Sequence, residues 1–120
     1  MQLNDSEWKV MRVVWNHHPA RARDVLVELE DSTGWAYSTV KTLLTRLVDK
    51  GALRESKRAN ASLYEPRVTE REARQTAVTG LLERAFDGTV GGLVHHLIDA
   101  RSLNKRDREE LRRLLEEDDA

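Results

Sequence analysis

The sequence predicts a mainly α protein with a small β wing, organised as a winged helix-turn-helix followed by a C-terminal helical dimerisation region. Two observations indicate this class. The first is the order of segments, in which three helical patterns precede two short strand patterns and three more helical patterns follow. The second is the third helix, whose exposed side carries hydroxyls and cations. The expected boundaries are 1–68 for the winged helix-turn-helix and 69–120 for the helical region.

The first two helices can be placed by their ends. Asn4 followed by Glu7 predicts a capping box that starts the first helix, and Pro19 requires this helix to end shortly before it. A second helix is expected over 22–30, because a turn-forming cluster occupies 31–34. The apolar face of the first helix is expected to consist of Trp8, Met11, Val14 and Trp15.

The stretch from Ser38 to Gly51 is the most informative part of the chain. As a helix it has one apolar stripe, formed by Val40, Leu43, Leu44, Leu47 and Val48. Its opposite face carries Ser38, Lys41, Thr42, Thr45 and Arg46. Hydroxyls combined with lysine and arginine suit contacts to phosphates and to base edges in the major groove. The segment is therefore a candidate recognition helix, although a solvated surface helix is the alternative when it is taken alone.

A hairpin is expected directly after this helix. Strand patterns occupy 52–57 and 62–65, and the residues between them, 58–61, form the expected turn. Leu53 on the first strand and the pair Leu63 and Tyr64 on the second supply apolar positions. A hairpin in this place is the wing of a winged helix, and the order of three helices and a hairpin is more specific than any single segment.

From Thr69 onward the chain is expected to be helical, with a break at Asp87-Gly88 and a helix cap at Asn104. Three short helices cannot cover so many apolar side chains by themselves. We therefore expect a partner surface, most simply the same helices of a second subunit, with packing onto the winged region as the alternative. The expected dimer residues are Leu81, Leu82, Phe86, Val90, Leu93, Val94, Leu97, Ile98, Leu111, Leu114 and Leu115.

The composition excludes several classes of function. Without cysteine there are no disulfides or thiolate metal sites, and a cytoplasmic location is the simplest expectation. The chain has no apolar run of about eighteen residues and no signal-peptide pattern, so no membrane insertion is expected. It also lacks a glycine-rich phosphate loop, a nucleophile elbow and a His-Glu-x-x-His motif. We therefore expect neither an enzyme nor a bound cofactor.

The charge distribution gives weak support for a nucleic-acid partner. The net charge of −1 argues mildly against DNA, but residues 1–75 carry +2 and residues 76–120 carry −3. The basic excess therefore lies in the part of the chain that contains the candidate recognition helix.

The four histidines form two adjacent pairs, His17-His18 and His95-His96. Neighbouring helical side chains point about 100° apart, so neither pair can chelate one metal ion with both rings. Histidines from two subunits could meet at a dimer interface, but a plain interfacial role is the simpler expectation. We therefore expect no metal site.

With these features described, the chain resembles the penicillinase-repressor (BlaI/MecI) family. The resemblance covers almost the whole chain, and the block Thr-Val-Lys-Thr-Leu-Leu-x-Arg-Leu at 39–47 is its most specific part. The other matching segments are Glu7-Trp8-x-Val10-Met11-x-x-Val14-Trp15, Trp35, Lys50-Gly51-Ala52-Leu53, Tyr64-x-Pro66, Phe86-Asp87-Gly88 and Leu93-Val94.

The resemblance implies a cytoplasmic dimeric repressor. Its winged domain would bind an operator dyad in double-stranded DNA, and its C-terminal helices would hold the homodimer together. The residues implied to lie in the major groove or on its rims are Ser38, Thr39, Lys41, Thr42, Thr45 and Arg46. Lys57 and Arg58 of the wing would contact neighbouring phosphates.

Three departures from the family pattern limit what the resemblance implies. Arg21 stands where the family prefers a threonine that caps the second helix, so this cap is expected to be weaker. Several β-lactam-responsive members are cut at an Asn-Phe bond where this chain has His96-Leu97, which leaves a membrane sensor-protease open and unsupported as a partner. The copper-responsive branch ends in a cysteine cluster that this chain lacks, which excludes copper sensing by that route.

The sequence therefore favours a homodimeric DNA-binding transcriptional repressor that recognises an operator dyad, with release by an inducing signal left open. Two alternatives remain. One is a winged-helix protein-interaction module whose third helix docks on an acidic partner. The other is a metal- or ligand-responsive regulator that uses the histidines.

Overall fold

A computed structural model describes residues 1–119 and divides into two compact units, Met1–Val78 and the residues from Thr79 onward. The mainly α class with a two-stranded wing is confirmed. Among the described residues, no helix is both long and apolar enough to cross a membrane. The elements are α1 (Asp5–Asn16), α2 (Ala22–Thr33), α3 (Tyr37–Asp49), β1 (Leu53–Arg58), β2 (Ala61–Pro66), α4 (Glu70–Ala85), α5 (Val90–Asp99) and α6 (Lys105–Asp119).

The expected capping box begins α1. The Asn4 side chain accepts a hydrogen bond from the Glu7 N–H at 2.8 Å, and the Glu7 carboxylate accepts one from the Asn4 N–H at 2.9 Å. Trp8, which is expected on the apolar face of α1, packs its ring against that of Trp15, with the ring centroids 5.9 Å apart. Both rings are half-buried, at the edge of the buried stripe formed by Glu7, Val10, Met11, Val13 and Val14.

Helix α2 is longer than the sequence predicts, because 31–33 belong to it rather than to a turn. The Thr33 hydroxyl donates to the Leu29 carbonyl at 2.7 Å, as a helical threonine can. The helix ends at Gly34, whose φ of 66° is the left-handed conformation that glycine adopts at low cost. An extended link at Trp35 and Ala36 then leads directly into α3.

The apolar stripe of α3 forms the centre of the first unit. Val40, Leu44 and Leu47 are completely buried, and they belong to one core with residues of α1, α2 and the hairpin. Burying each such side chain contributes about 1.5–3 kcal/mol. This packing fixes the rotation of α3 about its own axis and therefore decides which residues face solvent.

The hairpin has the expected position but a tighter turn. Its strands extend to Arg58 and from Ala61, so that only Ala59 and Asn60 form the turn, both with positive φ. A feature missing from the sequence prediction is a bridge between Ala20 and Tyr64, which adds a third extended segment beside β2. The Ala20 N–H donates to the Tyr64 carbonyl at 3.0 Å, and the Tyr64 N–H donates to the Ala20 carbonyl at 2.8 Å.

The second unit has almost no interior. From residue 79 to residue 117 no side chain is fully buried, and α5 and α6 pack only sparsely against each other. Asn104 caps α6 as expected, because its side chain accepts from the Asp107 N–H at 2.8 Å. Val90, Ile98 and Leu115 remain 50% to 60% exposed.

The core position of α3 yields a stability prediction. Leu44→Ala should lower the free energy of unfolding by about 2–5 kcal/mol, because a fully buried leucine is replaced and a cavity remains. Thr45→Ala, at the next and exposed position, should change it by less than about 0.5 kcal/mol. Urea denaturation followed by circular dichroism measures both, and equal effects would contradict the packing described for α3.

Candidate nucleic-acid interface

The exposed face of α3 has a middle and two flanks. The middle is formed by three residues at i, i+4 and i+7, namely Ser38, Thr42 and Thr45. One flank is formed by Thr39 and Arg46, which are seven residues, or two helical turns, apart. All five are exposed. The single acid of this face, Asp49, is at the C-terminal end of the helix.

Four of the expected DNA-binding residues meet in one place on this face. Ser38, Thr39, Thr42 and Arg46, together with the edge of Leu43, line a shallow depression of about 270 Å³. The Thr42 hydroxyl donates to the Ser38 carbonyl at 3.0 Å, so its oxygen remains an acceptor and its methyl group is available for apolar contact. The depression thus combines hydroxyl groups with one guanidinium group.

Lys41 lies on the other flank, between α3 and the hairpin, and is half-buried. Its Nζ donates to the Tyr64 Oη at 3.1 Å and lies 5.7 Å from the centroid of the same ring. The hydrogen bond to Tyr64 raises the pKa of Lys41, and the negative charge of Glu55 acts in the same direction. The ammonium group is therefore charged at neutral pH and held at the base of the wing.

The two expected wing residues point to opposite faces of the hairpin. Residues two apart on a strand share a face, so Lys57 lies on the same face of the hairpin as Glu55. Glu55 is paired with Tyr64 on β2, and Tyr64 contacts Lys41. Lys57 therefore lies on the face turned toward Lys41. Arg58 lies on the other face and at the last paired position before the turn. Both side chains are exposed. The structure does not bring these two residues together as one cation pair.

The C-terminal end of α3 is held by a buried carboxylate. Lys50 Nζ contacts Glu7 Oε1 at 2.6 Å and donates to the Gln2 carbonyl at 2.8 Å. Glu7 is completely buried, and its Oε2 has no hydrogen-bond partner among residues 1–119. This ion pair connects the start of α1 with the end of α3, and it therefore helps to orient the exposed face.

Tyr64 contributes to this surface in a way that its sequence pattern does not predict. The pattern predicts only an apolar role, but a buried tyrosine usually requires a partner for its hydroxyl. Here the partner is the Lys41 ammonium. Arg21, which is expected to be a weaker cap of α2, is exposed, and its side chain makes no cap hydrogen bond.

The histidines lie apart from this surface in the sequence and are exposed. His95 Nδ1 is 2.9 Å from Asp99 Oδ2, and the ring of His96 contacts that of Phe86. Within residues 1–119 no group of three or more histidine, aspartate or glutamate residues is arranged to hold a metal ion.

The fold and this surface define a class of protein. Three helices, a hairpin wing and a third helix that exposes hydroxyls and cations are the features of a winged-helix protein of the nucleic-acid-binding type. The chain belongs to the penicillinase repressor family, because the sequence profile of that family matches residues 3–117.

Individual relatives agree with this assignment. The chain is 31% identical to a penicillinase repressor of Bacillus licheniformis over 116 residues, which cover 97% of this chain and 91% of the relative. It is 26% identical to the methicillin resistance regulatory protein MecI of Staphylococcus aureus (strain N315), over 95% of this chain and 93% of that protein.

Solved structures resemble the winged part of the chain. One is the solution structure of monomeric BlaI from Bacillus licheniformis in complex with the blaP half-operator, with a TM-score of 0.53 and 35% identity. This match covers 60% of the present chain and 88% of the other. The isolated DNA-binding domain of BlaI matches with a TM-score of 0.54 and 35% identity, over 59% of this chain and 87% of that one.

The ion pair at the end of α3 yields a second stability prediction. Lys50→Met should destabilise the protein by roughly 2–4 kcal/mol, because it leaves the buried Glu7 carboxylate without its cation. Lys57→Met, an exposed lysine on the wing, is the control and should have little effect. Thermal denaturation distinguishes the two, and equal melting temperatures would show that the pair does not hold α3 in place.

Proposed function

We propose that this chain is a homodimeric transcriptional repressor that binds an operator dyad in double-stranded DNA. The observation that carries the proposal is the exposed face of α3, where Ser38, Thr39, Thr42 and Arg46 line one depression. Side chains of these types recognise bases and phosphates, and the buried stripe on the opposite side of α3 keeps them directed outward.

In this proposal α3 enters the major groove and the wing follows the backbone. Arg46 supplies a guanidinium group that can pair with guanine or phosphate, while Thr42 and Thr45 offer hydroxyl and methyl groups to base edges. Lys41, Lys57 and Arg58 act as phosphate contacts that position the helix. The family relationship supports this arrangement, since one relative was solved in complex with a half-operator.

The dimer is proposed from the composition of the second unit. Its largest apolar side chains are half-buried or exposed in the single chain, and none between 79 and 117 is fully buried. A unit of this size without an interior is not expected to be stable alone. A second copy would cover the exposed face of α5 and α6 and place two copies of α3 on one dyad. A cytoplasmic location is proposed with this function.

The direct test is selection of duplexes from a random oligonucleotide pool by the full chain. A repressor dimer should enrich a dyad whose half-sites lie about one helical turn, or a small multiple of it, apart. The affinity should fall steeply with salt, because phosphate contacts release counterions. Enrichment of no sequence, combined with a shallow salt dependence, would instead favour a protein-interaction module.

Arg46→Ala should weaken binding to the selected duplex by roughly 1–3 kcal/mol per subunit, because the guanidinium group that lines the α3 depression is removed. A mobility shift at fixed salt measures the loss. Arg106→Ala, an exposed arginine on α6, is the matched control and should bind like the wild type. If Arg46→Ala also binds like the wild type, α3 does not have the proposed role.

Ile98→Asp should convert the dimer to a monomer, because Ile98 is half exposed in the single chain and a charge there would have to be buried by the partner. Arg101→Asp places the same charge on an exposed position just after α5, outside the expected dimer residues, and should leave the dimer intact. Sedimentation velocity distinguishes the two states. A dimeric Ile98→Asp variant would exclude this face of α5 as the interface.

A further inference from the structure

Tyr64 is held from several sides next to the proposed DNA-binding surface. It is 1% exposed, and its backbone pairs with Glu55 on one side and with Ala20 on the other. Since the strand and the core both hold it, its hydroxyl lies at a defined point beside α3. The group that meets it there is the ammonium of Lys41, at 3.1 Å.

The contact with Tyr64 leaves the Lys41 ammonium able to donate further hydrogen bonds. A lysine ammonium has three N–H donors, and Tyr64 Oη takes one of them. Lys41 is only half-buried, so the remaining donors are open to solvent on the flank between α3 and the wing. An anion that approaches this flank can therefore accept a hydrogen bond without breaking the one to Tyr64.

We propose that the Tyr64 hydroxyl is a positioning group for DNA binding, because it holds the Lys41 ammonium where a backbone phosphate arrives. The inference rests on the proposed function. A free lysine side chain loses much of its rotamer freedom when it binds a phosphate. In this protein the Lys41 side chain loses that rotamer freedom when the protein folds. The cation is therefore already in place before DNA arrives, and DNA binds more tightly than it would to an unrestrained lysine. The connection also links the wing to α3, since Tyr64 belongs to β2.

The test uses Tyr64→Phe, which removes the hydroxyl and keeps the ring against which Lys41 lies. A double-mutant cycle is completed by Lys41→Met, which removes the charge, and by the variant that carries both substitutions. Affinity for the duplex selected by the wild type is measured by fluorescence anisotropy over a range of salt. Tyr64→Phe should weaken binding on the order of three- to tenfold for each of the two subunits, the effect of one hydrogen bond per subunit. It should leave the slope of log affinity against log salt unchanged.

The cycle separates positioning from general stability. Lys41→Met should weaken binding and reduce the salt slope by about 1.8, because each of the two subunits loses one phosphate contact with a slope of about 0.9. In that background Tyr64→Phe should have no further effect, because the hydroxyl acts through Lys41. Equal losses in both backgrounds would show that Tyr64 has a purely structural role and would overturn the inference. Tighter binding by Tyr64→Phe would also overturn it, since the hydroxyl would then be competing with DNA for Lys41.

A second measurement compares Lys41 in the wild type and in Tyr64→Phe. In an NMR titration, the Lys41 ammonium should titrate at higher pH in the wild type, because the hydrogen bond from Lys41 to Tyr64 raises the pKa of Lys41. The same titration of Lys41 in both proteins would show that the hydroxyl does not hold the ammonium. If the wild type selects no duplex, the proposed function fails, whereas wild-type binding with an unaffected Tyr64→Phe variant refutes this inference alone.

Discussion

The burial of one aliphatic stripe on α3 is the constraint on which the surface depends. Val40, Leu44 and Leu47 have no exposed area, and α1, α2 and the hairpin all contribute to the core that covers them. A helix held this way cannot rotate about its axis without exposing leucine. The hydroxyls and the guanidinium of the opposite face therefore keep a constant direction, as recognition of a rigid duplex requires.

Three polar connections add to this apolar constraint at separate points of α3. Lys50 joins its C-terminal end to the buried Glu7, and Lys41 joins its flank to Tyr64 in the hairpin. At the centre, Thr42 bonds to the carbonyl of Ser38 within the helix itself. The apolar core determines which side of α3 is exposed, and the contact with Tyr64 determines where the Lys41 ammonium lies on that side.

Much of this could be predicted from the sequence, since the decisive signals are local. The period of the α3 stripe and the Asn4–Glu7 capping box require only neighbouring residues, and both are present. The misses involve distant partners or competing local preferences. The turn-forming residues at 31–34 predict a turn, whereas 31–33 belong to α2. The bond between Lys41 and Tyr64 joins residues 23 positions apart, which no local period reveals.

The winged unit has a buried core and the second unit has almost none, and this difference affects how operator occupancy depends on the concentration of the repressor. The winged unit has its own core, whereas 79–117 contain no fully buried side chain. If a twin chain completes the second unit, dilution would loosen the C-terminal helices first and leave the winged unit folded. Operator occupancy would then depend more steeply than linearly on the number of repressor chains in the cell. A modest fall in their synthesis, or a moderate rise in their degradation, would be enough to free the promoter.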